Sequence, residues 1–381
     1  MLEDVLFKGI KRPKQRKKKE LQQDIKITGE MLPQLESFVD LRTKCVFKSP
    51  RLVQKVVIPY ILNGKNICVE SFTGSGKTLS FVLPLLELGI DRRVDALVLV
   101  PSDCLGNQID KVISEIENNF EICREIPLAP TKGNRIVICK PEDLLNDSKY
   151  TLSFTHLIID EADLMINKNS SGLFKSLSTC IDLQLATVCV FSATMNKEVE
   201  RILEMFKEIT KIYVSNKNSI SHRFVFGTKD NIKHLSLRQI IEDGVEAPCL
   251  IFVKDVDTGR KLSQIIPNSG SFDGQESVLD NFRLKKIWYL FTTDVLARGV
   301  DFINVKSVIN YDYPVCKTDF VHRAGRVNRN TTGQKVFTVY TIEDFNKLWY
   351  VVDFIKENGC RVEEHIEKII NKSKKSEIKK V

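Results

Sequence analysis

The chain has 381 residues, 43% of them hydrophobic, which is enough for two domains of ordinary size with tails. Its net charge of +8 tolerates a polyanionic partner without demanding one. No apolar run reaches the roughly 20 residues that cross a bilayer, Met1 to Phe7 carries acids in place of a secretory core, and the ten cysteines stand singly. These features argue against membrane-spanning, secreted and zinc-binding classes and predict reduced thiols in the cytosol or nucleus.

Residues 1–29 read as a flexible basic arm, with Lys8, Lys11, Arg12, Lys14, Arg16, Lys17, Lys18 and Lys19 crowded together. Such runs repel themselves and stay disordered. Their use is either nuclear import and RNA tethering or plain solubility. Leu32 to Leu41 suggests a short helix. Further on, Gln54 carries a side-chain amide with donors and an acceptor, which suits an adenine edge. Phe47 and Pro50 can shape the wall beside the base; an ordinary helix glutamine is the alternative.

Ile67-Cys68-Val69 then leads into Glu70-Ser71-Phe72-Thr73-Gly74-Ser75-Gly76-Lys77-Thr78, and Leu79-Ser80-Phe81-Val82-Leu83 follows. This reads as strand, tight turn and helix. Gly74 and Gly76 let the backbone turn sharply and aim N–H groups inward, where the new helix also presents its positive end. Lys77 supplies a point charge for β- and γ-phosphates, and the Thr78 hydroxyl can ligate Mg²⁺. The strict phosphate-loop pattern has Gly where this chain has Ser71, a small residue that still fits the turn.

Short apolar runs at Ala96 to Val100, Arg135 to Cys139, His156 to Ile159 and Thr187 to Phe191 predict buried parallel strands. The third ends in Asp160-Glu161-Ala162-Asp163, at the strand edge where α/β sheets bind ligands. There Asp160 can hold Mg²⁺ through water, and Glu161 can orient or deprotonate the attacking water. Ser192-Ala193-Thr194 ends the fourth run with two hydroxyls that can link the acidic site to another surface. Residues 30–214 therefore form a first domain and 215–221 a linker. Over 222–358 the pattern restarts, with a helix at Leu235 to Ile241 and strands at Cys249 to Val253, Trp288 to Phe291 and Val305 to Tyr311. This second half has no phosphate loop of its own. Its segment His322-Arg323-Ala324-Gly325-Arg326-Val327-Asn328-Arg329 spaces three arginines by three, which predicts one helix face directed at a polyanion. Residues 359–381 read as a basic tail, with lysines at 372, 374, 375, 379 and 380.

Taken together, these motifs resemble the DEAD-box RNA helicase family over roughly residues 38–345, and they occur in the family's order. The resemblance implies two RecA-like α/β domains in tandem on a flexible linker, with ATP and Mg²⁺ in the cleft between them and RNA across both. It implies that Gln54 reads adenine with Phe47 beside it, and that Ser71, Thr73, Gly74, Ser75, Gly76, Lys77 and Thr78 surround the phosphates. Asp160 and Glu161 would serve Mg²⁺ and water. Ser192, Thr194 and Asp163 would couple hydrolysis to closure. Asp294, Gly299 and Asp301 would line the cleft from the second domain. Arg326 and Arg329 would be arginine fingers, and His322 would bridge to the acidic site.

A narrower likeness, carried by stretches such as Phe224 to Thr228, Asp280 to Arg283 and Val308 to Pro314, is to the nucleolar subgroup acting on the small-subunit rRNA precursor. It implies a nuclear, nucleolar monomer working on pre-rRNA with protein activators, although the cytoplasm stays open. The departures cluster on the RNA side. Asp103 and Cys104 stand where the family has Arg and Glu, and Lys140-Pro141-Glu142-Asp143 replaces Thr-Pro-Gly-Arg. Gln275 replaces an RNA-contacting arginine, and Asn328 replaces a glycine. Weak, salt-sensitive RNA binding is the expectation. The expected function is local, ATP-dependent unwinding of short RNA duplexes or remodelling of RNA–protein complexes. An ATP-gated RNA clamp, and a phosphate-loop ATPase acting on protein or DNA, are the rivals.

Overall fold

Side-chain alternation decides the architecture. In β3 (Asp95–Leu99), Ala96 and Val98 join one hydrophobic cluster while Leu97 and Leu99 join another on the opposite face, and all four are fully buried. The same split recurs in β5 (Asn134–Cys139), β6 (His156–Ile159) and β7 (Thr187–Ser192). A sheet apolar on both faces must be covered on both, which is the parallel, helix-flanked solution. The computed structural model describes residues 23–43, 49–72, 74–116, 119–126, 132–146, 154–166, 177, 182–183, 185–206, 208–216, 220–227, 233–297, 300, 302, 305–327, 334–357 and 362–370.

The first sheet has eight strands, completed by β1 (Gln23–Thr28), β2 (Ile67–Ser71), β4 (Phe120–Cys123) and β8 (Thr210–Asn216), in the order β1-β8-β2-β7-β6-β3-β5-β4. All its pairings are parallel except β1 with β8. β2, β7 and β6 are neighbours, so their carboxyl ends open side by side. The second sheet has six strands: β9 (Ser221–Phe226), β10 (Cys249–Phe252), β11 (Ser269–Ser271), β12 (Tyr289–Thr292), β13 (Ser307–Asn310) and β14 (Lys335–Tyr340). Its order is β11-β12-β10-β13-β14-β9, parallel throughout. It too splits its apolar residues between two clusters, with Leu250 and Phe252 on one side and Cys249, Ile251 and Val253 on the other. The fold is thus two parallel-sheet α/β lobes in tandem.

Four boundaries move. Residues 23–28 are not part of an arm but form β1, register-paired with β8 from Gln23–Asn216 to Thr28–Lys211. The segment predicted as a helix at Leu32 to Leu41 has only a 3-10 turn, Phe38–Asp40. Pro33 disfavours helix in the residue before it, and Leu35 and Leu41 instead pack on Phe38, Ile58 and Leu83. The crossing between lobes is shorter than 215–221, because β8 runs to Asn216 and β9 starts at Ser221. The tail expected from 359 includes a helix at 364–370, whose Ile366 and Ile370 are buried in the same hydrophobic cluster as Val351 and Ile355. Both basic runs lie outside the described residues. Among the described residues no helix is long and apolar enough to cross a membrane.

Candidate active site

Ser71 ends β2, and the helix Lys77–Asp91 begins six residues on. Between them the chain reverses through Gly74 (φ 76°) and Gly76 (φ 103°), both in the left-handed region that favours glycine. A Cβ on Gly76 would lie 2.5 Å from Gln54 Nε2, so the loop is packed tightly against the preceding helix, Leu52–Leu62. The buried Gln54 donates to the Gly76 carbonyl at 3.2 Å and accepts from the Arg51 N–H at 2.7 Å. An amide has further bonding capacity on both atoms, so a base edge remains within its chemistry. Ser71 and Ser75 hydroxyls pair at 2.9 Å. The serine that departs from the phosphate-loop pattern therefore pins the turn.

Lys77 is buried and donates to the Ser71 carbonyl at 3.3 Å, while its ammonium lies 3.2 Å from Glu161. Glu161 itself has φ 53°, an unusual conformation for a non-glycine residue. Its N–H reaches the Asp160 carboxylate at 3.0 Å. Asp160 is buried, and its pKa is pushed up to about 7, first by burial and then by the charge of Glu161. Adjacent carboxylates stressed in this way beside a lysine and a helix N-terminus suit a nucleotide and its divalent cation. Mg²⁺ and ATP therefore fit the donor set.

Asp163 is also buried, yet it stays ionised. Burial opposes its charge, but hydrogen bonds from His322 and Thr194 outweigh that cost and hold its pKa at about 2. The Thr194 hydroxyl donates to Asp163 Oδ2 at 2.5 Å, Ser192 donates to the Thr194 carbonyl at 2.7 Å, and His322 Nε2 approaches the same Asp163 oxygen at 3.3 Å. The carboxylate can only accept, so His322 Nε2 carries the proton. This contact joins the lobes. Ligand atoms of Glu161, Asp163 and His322 all lie within 4.8 Å of one another, which brings the second lobe to the acidic site.

The arginine segment differs from expectation. The helix Lys317–Ala324 stops before Arg326, so Arg323 and Arg326 do not share a helix face. Arg323 is buried, and its guanidinium is taken up by the lobe's own fold. It grips Asp294 through two bonds, of 2.7 and 2.6 Å, and the Asp312 carbonyl at 2.6 Å, with its guanidinium over Phe252. The carboxylate of Asp294 is thus engaged in fixing that helix to the ends of β12 and β10. Arg326 donates to the Val300 carbonyl at 2.8 Å and lies over Phe302. Cys104 of the first lobe is within electrostatic reach of Arg326. Its thiol pKa is pushed up by burial and then by Glu276, while Arg326 and Arg283 pull it down. Phe47, Thr73, Gly299, Asp301 and Arg329 lie outside the described residues, and Thr78 is half-buried at the helix start.

Two features escaped the sequence reading. Arg51 reaches into the phosphate loop, donating to the Gly74 carbonyl at 2.6 Å; its closeness to Gln54 was the available signal. Asp103 holds Lys140 at 2.8 Å and lies 3.6 Å from Arg124. The acid expected to oppose RNA therefore also neutralises nearby cations.

The chain matches the model "DEAD/DEAH box helicase" over residues 51–202 and "Helicase conserved C-terminal domain" over 232–331. Among curated proteins it is similar to the probable ATP-dependent RNA helicase ddx52 of Dictyostelium discoideum, with 28% identity over 83% of this chain and 52% of that one. It is 28% identical to the ATP-dependent RNA helicase ROK1 of Kluyveromyces lactis over 86% of this chain and 64% of that one. For the probable ATP-dependent RNA helicase DDX52 of Mus musculus the figures are 26%, 95% and 66%. The chain thus spans between about half and two thirds of these relatives' lengths. Among solved structures, a DEAD box protein from Methanococcus jannaschii superposes with TM-score 0.56 at 25% identity, covering 85% of this chain and 98% of that one. Dbp5 of S. cerevisiae, solved with RNA and ADP BeF3, superposes with TM-score 0.67 at 22% identity, covering 89% and 99%, and shares the fold. With the two models matched in order and together covering more than half of its length, the chain belongs to the DEAD-box helicase family.

Proposed function

We propose that the protein is an RNA-dependent ATPase that locally separates short RNA duplexes or remodels RNA–protein complexes. The carrying observation is the linked set Lys77–Glu161 and Asp163–His322, in which one lobe's phosphate grip and acids meet a histidine from the other. The names of the relatives point the same way.

Thr78 and, through water, Asp160 would hold Mg²⁺, which would offset charge on the phosphates. Lys77 grips the phosphates and keeps Glu161 in place. Glu161 orients the attacking water and takes its proton, while Ser192, Thr194 and Asp163 relay the state of the site to His322. Arg326 and Arg329 supply positive charge from the second lobe, so turnover depends on closure. In related phosphoryl-transfer systems such an arginine is worth roughly 10³ to 10⁵ in rate. RNA is held by backbone and 2′-hydroxyl contacts, with little sequence preference. The narrower reading is a nucleolar monomer acting on pre-rRNA with protein activators.

One preparation of the full chain tests this, with ATPase measured with and without RNA and strand separation followed on a short duplex. RNA-stimulated turnover together with strand release supports the proposal. Glu161→Gln should abolish turnover, by at least about 100-fold in kcat, while ATP still binds; normal turnover removes Glu161 from its role. The Asp103–Lys140–Arg124 cluster favours one second reading, an ATP-gated clamp, which would show stimulated ATPase without strand release.

A further inference from the structure

The nucleotide site has two flanks. Sheet order β8-β2-β7-β6 puts Glu161, at the end of β6, on one side of the phosphate loop. The helix Leu52–Leu62 packs on the other side, against the helix Lys77–Asp91 and β8. Arg51 immediately precedes that helix and is exposed. Its Nη1 donates to the Gly74 carbonyl at 2.6 Å, its Cδ lies 3.2 Å from where a Cβ on Gly76 would sit, and its N–H is held by Gln54. A guanidinium has five N–H donors in a rigid fork suited to phosphate. Among the described residues, one of those donors is used and no acid pairs with it. An unpaired arginine is thus tied to the glycine turn at the seam between Gln54 and the phosphate loop.

We propose that Arg51 is a nucleotide-binding residue that contacts a phosphate shared by ATP and ADP. This rests on the reading of the loop as an adenine-nucleotide site. The bond that is cut lies toward Glu161 and Lys77, so the opposite flank faces the non-transferred phosphates and the base. A cation there stabilises substrate and product alike. Such uniform binding lowers KM without raising kcat, and it slows ADP release. It also supplies positive charge to a site whose own lysine is already beside Glu161.

The test is calorimetric titration of the full chain with ATP and with ADP, each with Mg²⁺, for wild type, Arg51→Ala, Arg51→Lys and Lys77→Ala. Arg51→Ala should weaken ATP and ADP by the same factor, about 10-fold. Its kcat should stay within twofold at saturating ATP while KM rises. Arg51→Lys should fall between, since it keeps the charge and loses the fork. Arg51 has no such role if both affinities stay within twofold of wild type, if ATP alone is weakened, or if kcat drops with KM unchanged. Failure of the wild-type chain to bind either nucleotide, or full binding by Lys77→Ala, would overturn the loop reading itself together with the role of Arg51.

Discussion

Asp160 gains a proton on folding. Its carboxyl ionises near pH 3.9 in an unfolded chain, but in the folded protein it is buried beside Glu161 and titrates at about 7. Between those values the folded state binds a proton that the unfolded state has lost, so stability falls as pH rises from about 4 to about 7. His156 works oppositely. Burial pushes its pKa down to about 4, so it costs stability as pH falls below about 6.5. Comparing variants separates the two. Asp160→Asn should lose less thermal stability than wild type between pH 5 and pH 7.5 in nucleotide-free buffer, and equal losses by calorimetry would contradict the assignment. At this scale the sequence was legible in placement where a residue's chemistry is rare in its context: Lys77 after paired glycines and Glu161 after a buried strand do meet, at 3.2 Å. Arg323 was misread because its partner Asp294 lies 29 positions away in sequence, and a charged helix reads the same whether its partner is nucleic acid or its own fold.

The loop after β3 shows how one substitution reorganises a face. Asp103, at the start of the helix Asp103–Ile116, draws Lys140 from the end of β5 and lies near Arg124 from the end of β4. Each is a surface pair of small energetic worth, but together they occupy cations that would be open to the proposed RNA strand if it crossed this face. Asp103→Arg removes the acid, releases Lys140 and adds a cation. Single-strand RNA affinity should rise, with the slope of log affinity against log salt steepening by about 0.7 for each additional phosphate neutralised. Fluorescence anisotropy over a salt series checks this, and an unchanged slope would mean the face does not touch RNA. Among the elements, central strands such as β3 and β10 were legible because unbroken apolar runs can only be buried on both sides. The sequence of β9, Ser221–Phe226, mixes exposed and buried positions at a sheet edge. β1 is polar and draws its identity from its partner. Such strands are set by their neighbours, which no local pattern encodes.

At the scale of the whole molecule, the lobes meet through Asp163 and His322, and in sequence the basic runs precede and follow the pair. Deleting residues 1–20 and 372–381 spares β1 and the buried Ile370. This truncation should weaken RNA binding clearly more than ATP binding. Equal RNA affinity for both chains across a salt titration would rule out a tethering role. Tandem lobes could be read from the restart of the strand pattern, whereas the contact that joins them could not, since it spans 159 positions.

The antiparallel pairing of β1 with β8 sets Gln23 opposite Asn216, the last residue of the first sheet before the chain passes to the second lobe. The N-terminal end of β1, at the edge of the first sheet, therefore lies beside the start of the crossing between the lobes. On the proposed function, an RNA captured by the lysines that precede β1 in sequence would be tethered to the chain beside that crossing and not at the far edge of the sheet, at β4.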